Sequence, residues 1–140
     1  MYENILVPTD GSESMEGVIQ HAIDLAEIHD ANLHTIFVAN TATLSDLPME
    51  SSWEGISTAL QKQGEQAISA VERQAGELTI ESVIREGPPA KEITAYTEEA
   101  DIDVVVMGTH GRSGVDRLLL GSVAERVVRS SPVPVLTIRV

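Results

Sequence analysis

Gly108-Thr109-His110-Gly111-Arg112-Ser113-Gly114, followed after Leu120 by Gly121-Ser122, spells G-x-x-G-x9-G-S. Glycines in such a loop let backbone N–H groups come close to an anion. Gly121-Ser122 stands where a helix should open, and the free N–H groups and dipole of a helix start favour phosphate. The stretch therefore reads as a phosphate cradle, placed directly after the apolar run Val104 to Met107.

The surrounding elements must position that cradle. Ile5-Leu6-Val7 is a short buried-strand run ended by Pro8-Thr9-Asp10-Gly11. Ser12 is placed to cap a helix reaching about His29, with Val18, Ala22, Leu25 and Ala26 at helical spacing. Leu33 to Val38 reads as the second strand, and Asn40 to Glu50 as a polar, irregular connection. Ser51-x-x-Glu54 resembles a capping box before a long helix whose inner stripe is Ile56, Leu60, Ala67, Ile68, Val71 and Ala75. Leu78 to Ile84 is the expected third strand. Gly87-Pro88-Pro89 then breaks the chain, and Pro89 suits a first helical turn ahead of Ile93 and Tyr96. Ile102 to Met107 is the fourth strand, apolar enough to be covered on both faces. Ser122 to Arg129 is a fourth helix with a second capping box, Ser122-x-x-Glu125, and Pro132 to Val140 is the fifth strand. Strand and helix alternate throughout, which predicts one α/β domain over residues 1–140, a parallel sheet with helices on both faces.

In an open α/β sheet, ligands sit beyond the carboxyl ends of strands where the strand order reverses. Pro8-Thr9-Asp10 and Gly108 to Gly114 both occupy such ends. If the first and fourth strands are neighbours, Asp10 faces the glycine loop. Its carboxylate would accept hydrogen bonds from ribose hydroxyls while the loop holds phosphates, so a nucleotide satisfies both groups. Other nucleotide motifs fail. There is no G-x-x-x-x-G-K-[ST], no dinucleotide fingerprint after the first strand and no kinase signature set.

These residues resemble the universal stress protein family, in its ATP-binding branch. Ile5 to Asp10, Val105 to Gly114, Leu119 to Glu125 and Pro132 to Leu136 carry the resemblance, and the G-x-x-G-x9-G-[ST] spacing is complete. The resemblance implies a Rossmann-like, adenine nucleotide alpha hydrolase-like sheet in the order 3-2-1-4-5. It implies that Asp10 binds ribose, with Pro8 and Thr9 lining the pocket. Val38 would meet adenine through its backbone, and Met107, Gly108 and Thr109 would border the nucleotide. His110, Gly111, Gly121, Ser122 and Val123 would surround the phosphates, with Arg112 neutralising charge. It also implies a homodimer through the terminal strand, about Val135 to Val140, which lacks a Lys guard on an expected sheet edge. The function implied is an ATP-binding regulator or sensor of stress with slow or no hydrolysis. The alternatives are a slow ATPase using His110 and Arg112, or a dimeric interaction module holding AMP or another adenosine compound.

Plainer readings exist for several residues. Asp10 could cap a helix, Ser122 could serve only as an N-cap, and His110 could be a solvated loop histidine. Arg112 and Arg117 could balance local acid. Trp53 is expected to pack a helix start, and His21, His29 and His34 show no metal spacing.

Composition bounds the partners. The chain has no Cys, which excludes disulfides, thiolate zinc sites and cysteine nucleophiles. It has no apolar run of membrane-span length and no signal-peptide pattern, so the cytoplasm is the expected compartment. Its net charge of −13 repels nucleic acid and anionic lipid. Helix ends offer phosphate only about 0.3–2 kcal/mol each, against roughly 8 kcal/mol for micromolar affinity. Mg²⁺ or Mn²⁺ is therefore expected with the nucleotide, held mainly by its phosphates. Only Lys62 and Lys91 are lysines, and an acidic, Lys-poor surface suits a host with a salty cytoplasm. Unfolding in low salt with refolding in molar KCl is the expected outcome for such a host; unchanged stability marks a merely acidic protein.

Overall fold

A computed structural model describes residues 1–40, 53–110 and 120–140. The elements are β1 (Asn4–Pro8), α1 (Met15–His29), β2 (Asn32–Ala39), α2 (Trp53–Ala75), β3 (Ile80–Glu86), α3 (Pro89–Glu99), β4 (Val104–Gly108), α4 (Ser122–Ser130) and β5 (Val135–Ile138). All strand pairs are parallel, in the order β3-β2-β1-β4-β5. Asn4 pairs with Asn32 on one side of β1, and Ile5 pairs with Val104 on the other.

Side chains alternate between the two faces of a strand, and the cores divide accordingly. Ile5, Val7, Val104 and Val106 pack with Val18, Ala22 and Ala26 of α1 and with Val71 of α2. Leu6, Val105 and Met107 pack on the other face with Ile93 and Tyr96 of α3 and Val127 of α4. Phe37 and Ala39 meet Ala67 of α2. Coverage on both faces explains why β1 and β4 are nearly pure apolar runs. Among the described residues, no helix is long and apolar enough to cross a membrane.

Several element ends differ from the sequence-based expectation. Ser12 does not cap α1. Its N–H donates to Asp10 Oδ1 at 2.9 Å, and its carbonyl accepts from the Met15 N–H at 3.1 Å, so a turn occupies the residues before the helix. Asp10 competes for the backbone here, as short polar side chains do. The third strand starts at Ile80 because Leu78 donates back to Ala75 O in the turn after α2; Leu78 is apolar because it packs on the core. Charged Arg85 and Glu86 extend β3, as an edge strand permits. Ile102 is buried but precedes β4, which begins at Val104. The fifth strand is confined to Val135–Ile138, since Pro132-Val133 lies in a turn where Val133 N–H donates to Ser131 Oγ. Ser51 and residues 41–50 lie outside the described residues, as does the Trp53 side chain.

His34 is buried under α3, with Nδ1 2.8 Å from Tyr96 Oη and Nε2 3.4 Å from Asn4 Oδ1. Burial holds its pKa below the ordinary histidine value, while Glu81, 3.4 Å away, pulls it partly back. The two effects oppose, and burial is the larger, so the imidazole is neutral in the fold. The unfolded chain then binds a proton that the folded chain refuses once pH drops below about 6.5. Stability should fall as pH drops through and below about 6.5. His34→Gln should flatten that fall in urea denaturation series.

Candidate functional site

The order reversal sets the carboxyl ends of β1 and β4 side by side. Pro8 ends β1, paired with Ile36, and the Thr9 N–H donates to Ile36 O at 3.0 Å. Thr9 Oγ1 accepts from the Gly11 N–H at 3.1 Å, which tightens the turn. Asp10 is half-buried, with Oδ1 engaged by Ser12; its Oδ2 accepts no bond among the described residues. One carboxylate oxygen is thus used to shape the turn and the other is free for a hydroxyl donor.

The β4 end meets the start of α4 directly. The Gly121 N–H donates to Thr109 O at 2.7 Å. A Cβ on Gly121 would lie 3.1 Å from Thr109 O and 3.3 Å from His110 Cα, so this approach needs glycine. Gly108 is also explained by packing: a Cβ there would meet Val140 Cγ1 at 3.3 Å and Val18 Cγ2 at 3.4 Å. His110 Nδ1 sits 3.0 Å from Thr109 Oγ1. In the tautomer where that hydroxyl donates to Nδ1, Nε2 carries the proton. His110 Nε2 is buried and has no hydrogen-bond partner among the described residues. In that tautomer an unmet donor costs about 1–3 kcal/mol, and an anionic oxygen would satisfy it.

The expected capping box on α4 does not form. Gly121 is the N-cap and has no side chain to offer, while Ser122 lies inside the first turn. The Glu125 carboxylate is instead 2.8 Å from Arg129, one turn on. Among the described residues no side chain caps the opening N–H groups of α4, which is the condition for holding phosphate.

Val38, Met107 and Val123 lie together at the apolar border of this region, in the core cluster shared by α3 and α4. Gly111 and Arg112 lie outside the described residues, as does Arg117. The structure thus brings together Pro8, Thr9, Asp10, Val38, Met107, Gly108, Thr109, His110, Gly121, Ser122 and Val123 at one end of the sheet.

A cavity of about 710 Å³ opens beside Ser122 and Val123, and Asn40, Pro88, Pro89 and Ala90 also line it. None of these last four is expected as a site residue from the sequence. Gly87-Pro88-Pro89 was the available signal, since it ends β3 at the same edge of the sheet. No group of three or more His, Asp or Glu among the described residues could hold a metal ion. A divalent ion here would depend on its ligand's oxygens.

The fold defines an open parallel α/β domain with a crevice where its strand order reverses. The profile of the universal stress protein family matches residues 1–139, and the chain belongs to that family. Universal stress protein MJ0531 of Methanocaldococcus jannaschii is 40% identical over 141 residues, covering 99% of this chain and 83% of that protein. The solved structure of MJ0577, also from Methanocaldococcus jannaschii, superposes with a TM-score of 0.88 at 25% identity, covering 100% of this chain and 97% of that one. A universal stress protein solved in complex with cAMP gives a TM-score of 0.64 at 26% identity, with 98% and 97% covered.

Proposed function

We propose that the chain binds an adenine nucleotide, with ATP as the expected ligand, and acts as a nucleotide-dependent regulator of the stress response with slow or no hydrolysis. His110 Nε2, buried and without a hydrogen-bond partner among the described residues, beside an α4 start that has no side-chain cap, carries this reading. In its Nε2–H tautomer it is a donor next to the free N–H groups of a helix start. The cAMP complex of a 26% identical relative supports an adenine nucleotide as the class.

Each residue then has one task. Asp10 Oδ2 accepts from a ribose hydroxyl. The backbone of Val38 meets the base, and Met107, Gly108 and Thr109 border the nucleotide. His110, Gly111, Gly121, Ser122 and Val123 surround the phosphates, with Arg112 neutralising charge. Mg²⁺ or Mn²⁺, held mainly by the phosphates, would offset their charge. A cytoplasmic, salt-adapted setting is consistent with the charge of −13, which also opposes nucleic-acid partners. β5 ends the sheet as an open edge and supports a homodimer through about Val135 to Val140.

Acid extraction of protein purified with Mg²⁺ at high salt should release ATP near one per chain. An empty protein that also fails to titrate with Mg-ATP removes the nucleotide reading. Asp10→Asn should weaken binding about tenfold, the worth of one charge-assisted hydrogen bond. Gly121→Val, which drives a branched side chain into Thr109 O, should weaken it further. Light scattering at micromolar concentration should give a dimeric mass; a monomer sinks the edge-pairing model.

A further inference from the structure

The cavity beside Ser122 continues as a groove between α3 and α4. Lys91, Arg126 and Arg129 line it, against one carboxylate, Glu98. That excess of cations is out of character for a chain of net charge −13. Arg129 is engaged by Glu125 at 2.8 Å. Lys91 and Arg126 make no ion pair among the described residues. They come from separate helices and line the same open groove, so an anion between them would relieve their mutual repulsion. Helical side chains lean toward the helix N-terminus, and Pro89 and Ser122, which open α3 and α4, line the same groove. Arg126 lies one turn beyond Ser122, about 6 Å along the axis at the usual helical rise.

We infer that Lys91 and Arg126 form a second anion subsite that reads a further phosphoryl group on the bound nucleotide. The inference rests on the nucleotide reading above and narrows it: the working ligand carries more than one phosphoryl group. That group belongs either to a longer 5′ chain or to a separate phosphate on the ribose. Both present the same dianion to a lysine and an arginine, and the arginine adds the forked geometry that phosphate accepts.

Calorimetric titration with AMP, ATP and adenosine 3′,5′-bisphosphate, at one ionic strength, tests this. The full chain should bind ATP or the bisphosphate about tenfold tighter than AMP, the effect of two partly screened cations. Whichever is preferred identifies the arm that reaches the groove. The Lys91→Gln/Arg126→Gln double variant should lose that preference and keep its AMP affinity. Both side chains are exposed, so the fold should survive. Glu98→Gln, which removes the opposing carboxylate, should increase the preference, a gain that misfolding cannot mimic. A double variant that keeps the full preference overturns the inference, as does one that loses AMP and the larger ligand in equal measure. Failure of all three ligands with the unmodified chain removes the nucleotide reading itself.

Discussion

The position of β1 between β2 and β4 is the constraint on which the rest depends. After β1 the chain leaves toward α1 on one face; after β4 it leaves toward α4 on the other. α1 and α4 thus cover opposite faces, and the carboxyl ends of β1 and β4 lie side by side at the centre of the sheet. Leu6, Val7, Val105 and Val106 of these two strands are fully buried. Polar backbone at the rim is forced outward by the same burial. A crevice with apolar walls and unmet donors is thus a product of topology before any particular side chain is considered.

Net charge and local chemistry pull in opposite directions here. A charge of −13 repels phosphate at long range. At close range the ligand would meet backbone N–H groups and the α4 dipole, which add no net charge to the chain. At cellular ionic strength, screening confines the opposing field to roughly 8 Å, so an acidic surface elsewhere need not defeat a site built from dipoles. Lys91 and Arg126 line the groove beside that helix start.

Much of this was legible in the residues. Alternating apolar runs and helical stripes give the element order, and Val18, Ala22, Ala26, Ala67, Ile68, Val71 and Ala75 are buried as their spacing predicts. The strand order came through the family resemblance, because periodicity says which residues face inward and not which strands are neighbours. Element ends were the weak point. Ser12 and Ser122 both look like caps by type, yet Asp10 takes the backbone near the first and Gly121 occupies the cap position at the second. Residue type proposes a cap; the local competition for N–H groups decides it. The α3–α4 groove was invisible for a different reason. Lys91 and Arg126 are remote in sequence and meet only because α3 and α4 cover the same face of the sheet.

The two glycines that mark the loop do not by themselves separate packing from binding, since Gly108 touches Val18 and Val140 and Gly121 touches Thr109. The difference lies in where polar groups are satisfied. Toward the amino ends of the strands, Asp103 Oδ2 accepts from the Glu3 and Asn4 N–H groups at 2.7 and 2.9 Å, and those bonds hold its pKa below the usual carboxylate range. His34 is matched to Tyr96, and Thr35 Oγ1 donates to Val7 O at 2.9 Å. Folding meets its own hydrogen-bond demand in that half. At the carboxyl ends, Asp10 Oδ2, His110 Nε2 and the first turn of α4 have no partner of this kind among the described residues. A buried polar group without a partner weakens a fold that gains nothing else from it. Under the proposed function, these open groups at one end of the sheet are where a nucleotide would complete the structure.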